Sequence, residues 1–476
     1  MVTTDKWIFN IGGPEDVTRR RVLAGMLGAG AAAAVAGCAP PIPYGAGGTM
    51  LPPETRPYPT RSEGIDTIPQ IEHVIIYMQE NHSYDQYFGA LDHGDGFTMG
   101  ADGLPTNWNP DGSGNPVRAF HQANTCDAIS GDHSWTGTHR QINNGAMDGF
   151  ARSSGPNVMG YFDQTNLPFY YGLANTFPLC DRWFASVPGP THPNRRYLQA
   201  ATSVGMINTD ANEALSNPTA PNGTIWDRLD HWGITWKDYA IDVWDALLFP
   251  TADPVGFVFR NAAKLKYFGD FLNDCAAGTL PQVSIISPGT QDQYDEGSQD
   301  VQNGEAYSWA IMNAVMNGPK WGSSVILFCY DEHGGGYDHV PPPAAVAPDA
   351  IAPEVGPNDT PGTFAQYGVR VPGFVVSPWS RGQVSRADRF NRANVGATQS
   401  YVSHEVHDHT SILRFIETKW NLGALTYRDA NASNLLDCFD FRAPTFATPP
   451  MLPSPGLPVT GSPCEPQPWP GGPRPA

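Results

Sequence analysis

The sequence predicts an α/β fold, a doubly wound, mostly parallel sheet with helices on both faces. Two observations carry this. Short apolar, β-branched runs recur along the chain and stop abruptly at polar or acidic residues, as strands buried on both faces do. Helical segments alternate with them, and such alternation builds a parallel sheet covered on both sides.

The first run is His73-Val74-Ile75-Ile76-Tyr77-Met78, ending at Gln79-Glu80-Asn81. A shorter one follows at 233–239, then 282–286, ending at Ser287-Pro288-Gly289. The strongest is Ser324–Tyr330, ending at Asp331-Glu332, and a last one spans Val371–Val376. Helices are expected at 224–231, 302–317 and 409–421. In the last, Ile412, Leu413, Phe415, Ile416 and Trp420 form an apolar stripe and Asp408 is the N-cap.

Composition supports a large, loop-rich domain: 476 residues, 40% hydrophobic, with 13 Trp, 18 Tyr, 22 Phe, 50 Gly and 46 Pro. The formal charge of −19 argues against nucleic acid as a partner and fits a solvated acidic surface. Residues 1–38 read as a targeting segment. Arg19-Arg20-Arg21 precedes an Ala/Gly-rich apolar run too short to span a bilayer, which matches a twin-arginine export signal. Val35-Ala36-Gly37-Cys38 resembles a lipobox, so Cys38 is the expected lipidation site of a cell-envelope lipoprotein or extracellular protein. Residues 39–66 then read as a Pro/Gly-rich tether, 67–443 as the catalytic domain and 444–476 as a Pro-rich tail. Cys126, Cys180, Cys275, Cys329, Cys438 and Cys464 show no metal-finger spacing, and the sequence does not choose a disulfide pairing. Cys329, inside an apolar strand, is expected as a buried free thiol.

Chemistry concentrates at strand ends, where open α/β sheets bind ligands. Glu80-Asn81 and Asp331-Glu332 each offer adjacent oxygen donors, and adjacent carboxylates call for a compensating cation. Between them lies Gly189-Pro190-Thr191-His192-Pro193-Asn194-Arg195, placing Thr191 at or just before a helix N-terminus, where backbone N–H groups favour phosphate. A metal beside Thr191 would make its hydroxyl a competent nucleophile; a plain N-cap is the other reading. Arg195 suits phosphate oxygens or a surface ion pair. His133, His139 and the group His404, His407 and His409 are candidates for metal, proton transfer or phosphate. Asp338-His339 follows the glycine run 334–336.

Seven ordered blocks resemble the bacterial phosphoesterase family of non-haemolytic-type phospholipases C and acid phosphatase A; plant non-specific phospholipases C are similar. The blocks are QENHSYDQYFG (79–89), HSW with NNGAMDGF (133–150), PFYYGLANTFPLCDRWFASVPGPTHPNRRY (168–197), TIWDRLDHWGITWKDY (224–239), YDEHGGGYDHVPPP (330–343), GVRVPGFVVSPW (368–379) and DHTSILRFIETKWNL (408–422). The resemblance implies an alkaline-phosphatase-like core and a covalent phosphoenzyme. It matches Glu80, Asn81, Asp331 and Glu332 to metal ligands, Thr191 to the nucleophile and metal-bound hydroxyl, and His133 to a histidine near phosphate. Threonine at that position leans toward phospholipase C. One departure is the His-Pro pair that members carry after the third strand, which is missing around Gly297-Ser298.

The leading expectation is therefore a metal-dependent phosphoric-ester hydrolase, a phospholipase C acting on phospholipids such as phosphatidylcholine at a membrane surface. The divalent ion would be Mg²⁺, Ca²⁺ or Mn²⁺ in preference to Zn²⁺. Alternatives are a broad acid phosphatase on small phosphomonoesters and a non-catalytic lipoprotein that binds phosphorylated ligands.

Overall fold

A computed structural model describes residues 50–126, 130–209, 219–249, 254–289, 300–385 and 398–456. The export segment with Cys38, residues 39–49, the stretch around Gly297-Ser298 and the tail from 457 lie outside the described residues.

Eight strands make the central sheet: β1 His73–Gln79, β2 Leu179–Cys180, β3 Trp236–Ala240, β4 Leu265–Tyr267, β5 Val283–Ser287, β6 Ser324–Tyr330, β7 Gly373–Val376 and β8 Val402–Ser403. Their order is β8-β2-β7-β6-β1-β5-β3-β4, and β7 runs opposite to its neighbours while the other pairs are parallel. The helices used below are α1 Tyr84–Phe88, α2 Trp135–Ile142, α3 Pro168–Ala174, α4 Thr191–Ala200, α5 Ile225–His231, α6 Phe268–Ala277, α7 Val301–Met316 and α8 His409–Trp420.

The α/β expectation holds, and side-chain alternation shows why. On one face Tyr77 stacks on Phe328 at 4.8 Å, and these rings meet Tyr170 of α3 and Tyr307 of α7, each at 5.9 Å. The next residue of β6, Cys329, points the other way and lies 4.0 Å from His409 of α8. Helices therefore cover both faces, and every residue of β1 and β6 is buried. Cys329 is a buried free thiol, as the apolar run suggested.

Register fixes the site. Gln79 pairs with Tyr330 in the parallel β1–β6 ladder, so Glu80 and Asp331 leave the sheet side by side. On the other flank of β1, Ala240 of β3 pairs with Ser287 of β5 and both strands end at the same edge.

The expected helices match α5, α7 and α8 within a residue or two at their ends, and Asp408 caps α8 in a capping box with Ser411. Strands β2, β4 and β8 escaped prediction because two or three residues carry no periodicity. Residues 50–66, expected as tether, are tied down where described: the Asn421 side chain bonds the backbone of Tyr58, Arg61 and Ser62. The start of the Pro-rich tail is packed too, with Phe446 against Phe177 at 4.6 Å. Near the missing His-Pro pair, Asp300 caps α7, and Glu305 accepts the N–H groups of Phe169 and Tyr170 at the start of α3.

Phe328 joins both aromatic stacks at the sheet centre and is fully buried. Phe328→Ala should cost about 3–5 kcal/mol of stability, read as a lower urea midpoint with little change in slope.

Candidate active site

The two acidic strand ends converge because the turns after them nearly touch. Asn81 adopts a left-handed conformation, φ 65°, directly after β1. Gly334 lies against its carbonyl, and a Cβ there would overlap that oxygen; Gly334 also has φ 60°. The glycine run after Asp331-Glu332 thus permits the close approach of two loops. Asp331 Oδ1 accepts the N–H of Glu332 at 2.7 Å and of Asn81 at 3.2 Å, stitching both ends together. Glu332 Oε2 accepts the Gly334 N–H at 2.8 Å.

Helix α4 brings the third element. Pro190 is its N-cap and Thr191 its first residue, so Thr191 does not act as an N-cap. Asn194, which the sequence did not single out, holds the approach: its side chain donates to Gly189 O at 2.9 Å and accepts from Val187 N at 3.1 Å. The Thr191 hydroxyl donates to Glu80 Oε1 at 2.7 Å.

Arg195, one helical turn on, is 5% exposed. Its guanidinium reaches Glu80 Oε2 at 2.8 Å, Asp245 at 3.2 Å and Asp331 Oδ2 at 3.2 Å. It is therefore a buried ion-pair hub, not a surface pair, although it also lines the cavity over Thr191. Asp245 was missed. It follows β3 in Asp242-Val243-Trp244-Asp245, the same signal of carboxylates after a parallel strand that identified Glu80 and Asp331.

The charges are strained. Burial, then the neighbouring Glu80 charge, push the Asp331 carboxyl well above the usual range despite Arg195. Burial and then Asp245 do the same to Asp238, which is fully buried on β3. Glu332 ends below the usual range: burial raises it, but His133 and His333 outweigh that.

The candidate histidines separate. His133 lies on the wall shared with Thr191, close enough to act on Glu332, and its Nδ1 is 3.0 Å from Gly131 O. His139 packs on Trp135 and bonds the Trp135 carbonyl at 2.7 Å. His404 pairs with Asp181 at 2.9 Å, and His407 lies between Cys180 and Cys438. His409 bonds the Asp331 carbonyl at 2.7 Å; burial lowers its imidazole to about 4, so it is neutral. His82 is structural, stacked on Tyr87 at 4.5 Å. Asp338 and His339 join a buried network: Arg370 contacts Asp338 at 2.9 Å and Asp85 at 3.0 Å, while His339 contacts Asp85 at 2.7 Å.

A cavity of about 260 Å³ opens over Thr191, lined by Glu80, His133, His192, Arg195, Asp245 and Ser287 among others. Asn81 Oδ1 and Glu332 Oε1 are buried without a hydrogen-bond partner. Such orphaned oxygens cost about 1–3 kcal/mol each, and a divalent cation suits a set of carboxylate, amide and hydroxyl oxygens. Among the described residues, Glu80, Asp331 and Glu332 do not form a closed cluster with ligand atoms within 4.8 Å of one another; that closeness is met by Cys180–His407–Cys438 and by Asp85–Asp338–His339. Arg195 stands between Glu80 and Asp331 and supplies part of the positive charge.

With this geometry in view, the sequence relatives are decisive: the Phosphoesterase family matches residues 71–423. The chain belongs to the phosphoesterase family. It is 31% identical over 420 residues to "Non-specific phospholipase C1" of Arabidopsis thaliana, covering 80% of this chain and 74% of that one. It is 28% identical over 503 residues to "Phospholipase C A" of Mycobacterium tuberculosis, covering 92% and 88%. "Non-hemolytic phospholipase C" of Pseudomonas aeruginosa is 28% identical over 427 residues, 80% of this chain but only 59% of that longer protein. Among solved structures, a protein in the alkaline phosphatase superfamily from Vibrio parahaemolyticus aligns with 73% of this chain and 76% of that one, at 9% identity and a TM-score of 0.32. The family and its phospholipase C members support a phosphoester hydrolase.

Asp238 gives a pH test of the site's charge strain. Its folded carboxyl is held above the unfolded value of about 3.9, so stability falls as pH rises past that value toward the folded one. Asp238→Asn removes this titration. The variant should gain stability over wild type progressively from pH 5 to 8, with the difference vanishing near pH 4, in urea unfolding at each pH.

Proposed function

We propose that this phosphoesterase is a phospholipase C that cleaves phospholipids such as phosphatidylcholine through a phosphothreonine at Thr191. The observation that carries this is the Thr191 hydroxyl at a helix start, 2.7 Å from Glu80, inside a cavity walled by His133. Relatives named phospholipase C favour the diester over the monoester reading. Glu80, Asn81, Asp331, Glu332 and the Thr191 hydroxyl would hold a divalent ion, Mg²⁺, Ca²⁺ or Mn²⁺ by their all-oxygen chemistry. When bound, that ion would stabilise negative charge on the Thr191 oxygen and on the phosphoryl group.

The chain's own groups supply the rest. Thr191 Oγ1 bonds phosphorus as the bond to the diacylglycerol oxygen breaks, and the hydroxyl proton leaves toward Glu80 Oε1, its present acceptor. His133, on the cavity wall, protonates the departing alkoxide. Water then attacks phosphorus and gives one proton back to His133; the bond to Thr191 Oγ1 breaks, that oxygen takes back the proton held by Glu80, and the phosphorylated head group leaves. Arg195 bonds Glu80 and Asp331 and holds both side chains in line. N-terminal export by the twin-arginine route and lipidation at Cys38 would set this site beside a membrane surface.

A nitrophenyl phosphocholine diester and nitrophenyl phosphate, assayed in parallel, separate phospholipase C from acid phosphatase. The diester should be preferred; a preference of about tenfold or more for the monoester would reverse the assignment. Chelation should abolish turnover and one of the three hard cations restore it. Thr191→Ala should lose about a thousandfold or more in kcat while keeping its fold, and quenched wild type should carry one phosphoryl mass increment on the peptide containing Thr191. Full activity of the alanine variant would end the covalent mechanism.

A further inference from the structure

A second group of metal-binding character lies away from the oxygen-rich site. Cys180 ends β2, Cys438 ends the short Leu436–Cys438 helix, and His407 lies just before α8. All three are buried, and their ligand atoms lie within 4.8 Å of one another. Both cysteines are free thiols, and their Sγ atoms are 3.9 Å apart. That separation is far beyond the S–S bond of about 2.05 Å. It is close to the edge of a tetrahedron around a zinc-sized ion, about 3.8 Å for two Zn–S bonds of about 2.3 Å.

Asp437 flanks this group without joining it. Asp437 lies 3.9 Å from Cys438 Sγ, and its Oδ1 is 3.8 Å from His407 Nε2. The Ser403 hydroxyl bridges His407 Nε2 and Asp437 Oδ2, at 3.0 and 2.5 Å, which fixes the ring and leaves Nδ1 as the nitrogen open to a ligand. His407 Nδ1 is buried with no hydrogen-bond partner. Two thiols and an imidazole with an orphaned nitrogen make a good ligand set.

We propose that Cys180, Cys438 and His407 form a structural site for a zinc-class divalent ion, with Asp437 and Ser403 steadying the imidazole beside it, distinct from the oxygen-donor site. Binding converts both thiols to thiolates and releases two protons to solvent. The site has a mechanical consequence. Cys180 and Ser403 are partners in the β2–β8 ladder, so the ion would pin this sheet edge to the Leu436–Cys438 turn and to the entry of α8. Two residues after His407, His409 holds the Asp331 carbonyl, so the same pin steadies one wall of the active site without touching substrate.

Cobalt provides the test, because only thiolate ligation gives a sulfur-to-cobalt charge-transfer band and the oxygen-donor site contains no sulfur. The full chain, loaded with Co²⁺ under reducing conditions, should show this band at one equivalent per chain and lose it on addition of Zn²⁺. Alkylation of Cys180 and Cys438 in native protein should slow at least tenfold with Zn²⁺ bound. Cys438→Ser should abolish the band, whereas Cys275→Ser, which alters a buried thiol on α6, should keep it. If Cys438→Ser does not fold, the wild-type spectrum and alkylation still decide. Folded cobalt protein with no charge-transfer band, or a Cys180–Cys438 disulfide in protein purified without reductant, would overturn the assignment.

Discussion

One buried cation organises the carboxyl edge of the sheet. Arg195 meets Glu80, Asp245 and Asp331, which arrive from the ends of three different strands. Carboxylates gathered in a dry site repel each other, and only a planar, permanently charged fork can meet three of them at once. Loss of one partner from such a group is far costlier than the pair's net worth, about 3–5 kcal/mol, because the remaining charges stay buried and uncompensated. Thr191 and Arg195 are four residues apart, so they share one face of α4. Each takes one oxygen of Glu80, so the ion pair that holds the helix also aims the hydroxyl.

A second buried guanidinium holds the loops from below. Arg370 binds Asp85, after β1, and Asp338, after β6, while its Nη1 donates to the carbonyls of Asp95 and Asp181. His339 adds to this: burial opposes its charge, but Asp85 and Asp95 raise the imidazole to about 10. The turns following Glu80-Asn81 and Asp331-Glu332 are therefore clamped twice, by backbone contact through Gly334 and by charge through Arg370. Two such constraints explain how the active edge keeps a left-handed Asn81 in place.

What the sequence disclosed follows from how far each signal reaches. Long buried strands announce themselves locally, and β6 begins and ends where its apolar run does. The Glu80-Asn81 and Asp331-Glu332 pairs could be read because a strand end is a local feature, and register then brought them together. Asp245 carried the same signal more weakly, since a four-residue turn, 241–244, separates it from β3. The histidines near 404–409 could not be sorted by spacing. His404, His407 and His409 lie within six residues yet meet Asp181, two cysteines and Asp331, partners brought from elsewhere in the chain. Strand β2 exists because the longer β7 offers it an edge, and β8 in turn pairs only with β2.

The same distinction bears on metals. Cys180, His407 and Cys438 are separated by 227 and 31 positions, so no finger-like spacing signals them, and the fold alone assembles the group. Around Thr191 every expected donor is oxygen, which selects small hard cations; at β2 two sulfurs and an imidazole select a softer ion. An ion that prefers thiolate gains little from the all-oxygen donors expected around Thr191. A hard cation finds no oxygen among the three clustered donors at β2 and must displace protons from buried thiols whose ionisation burial opposes. Donor chemistry, more than site size, would keep two ions apart in one chain.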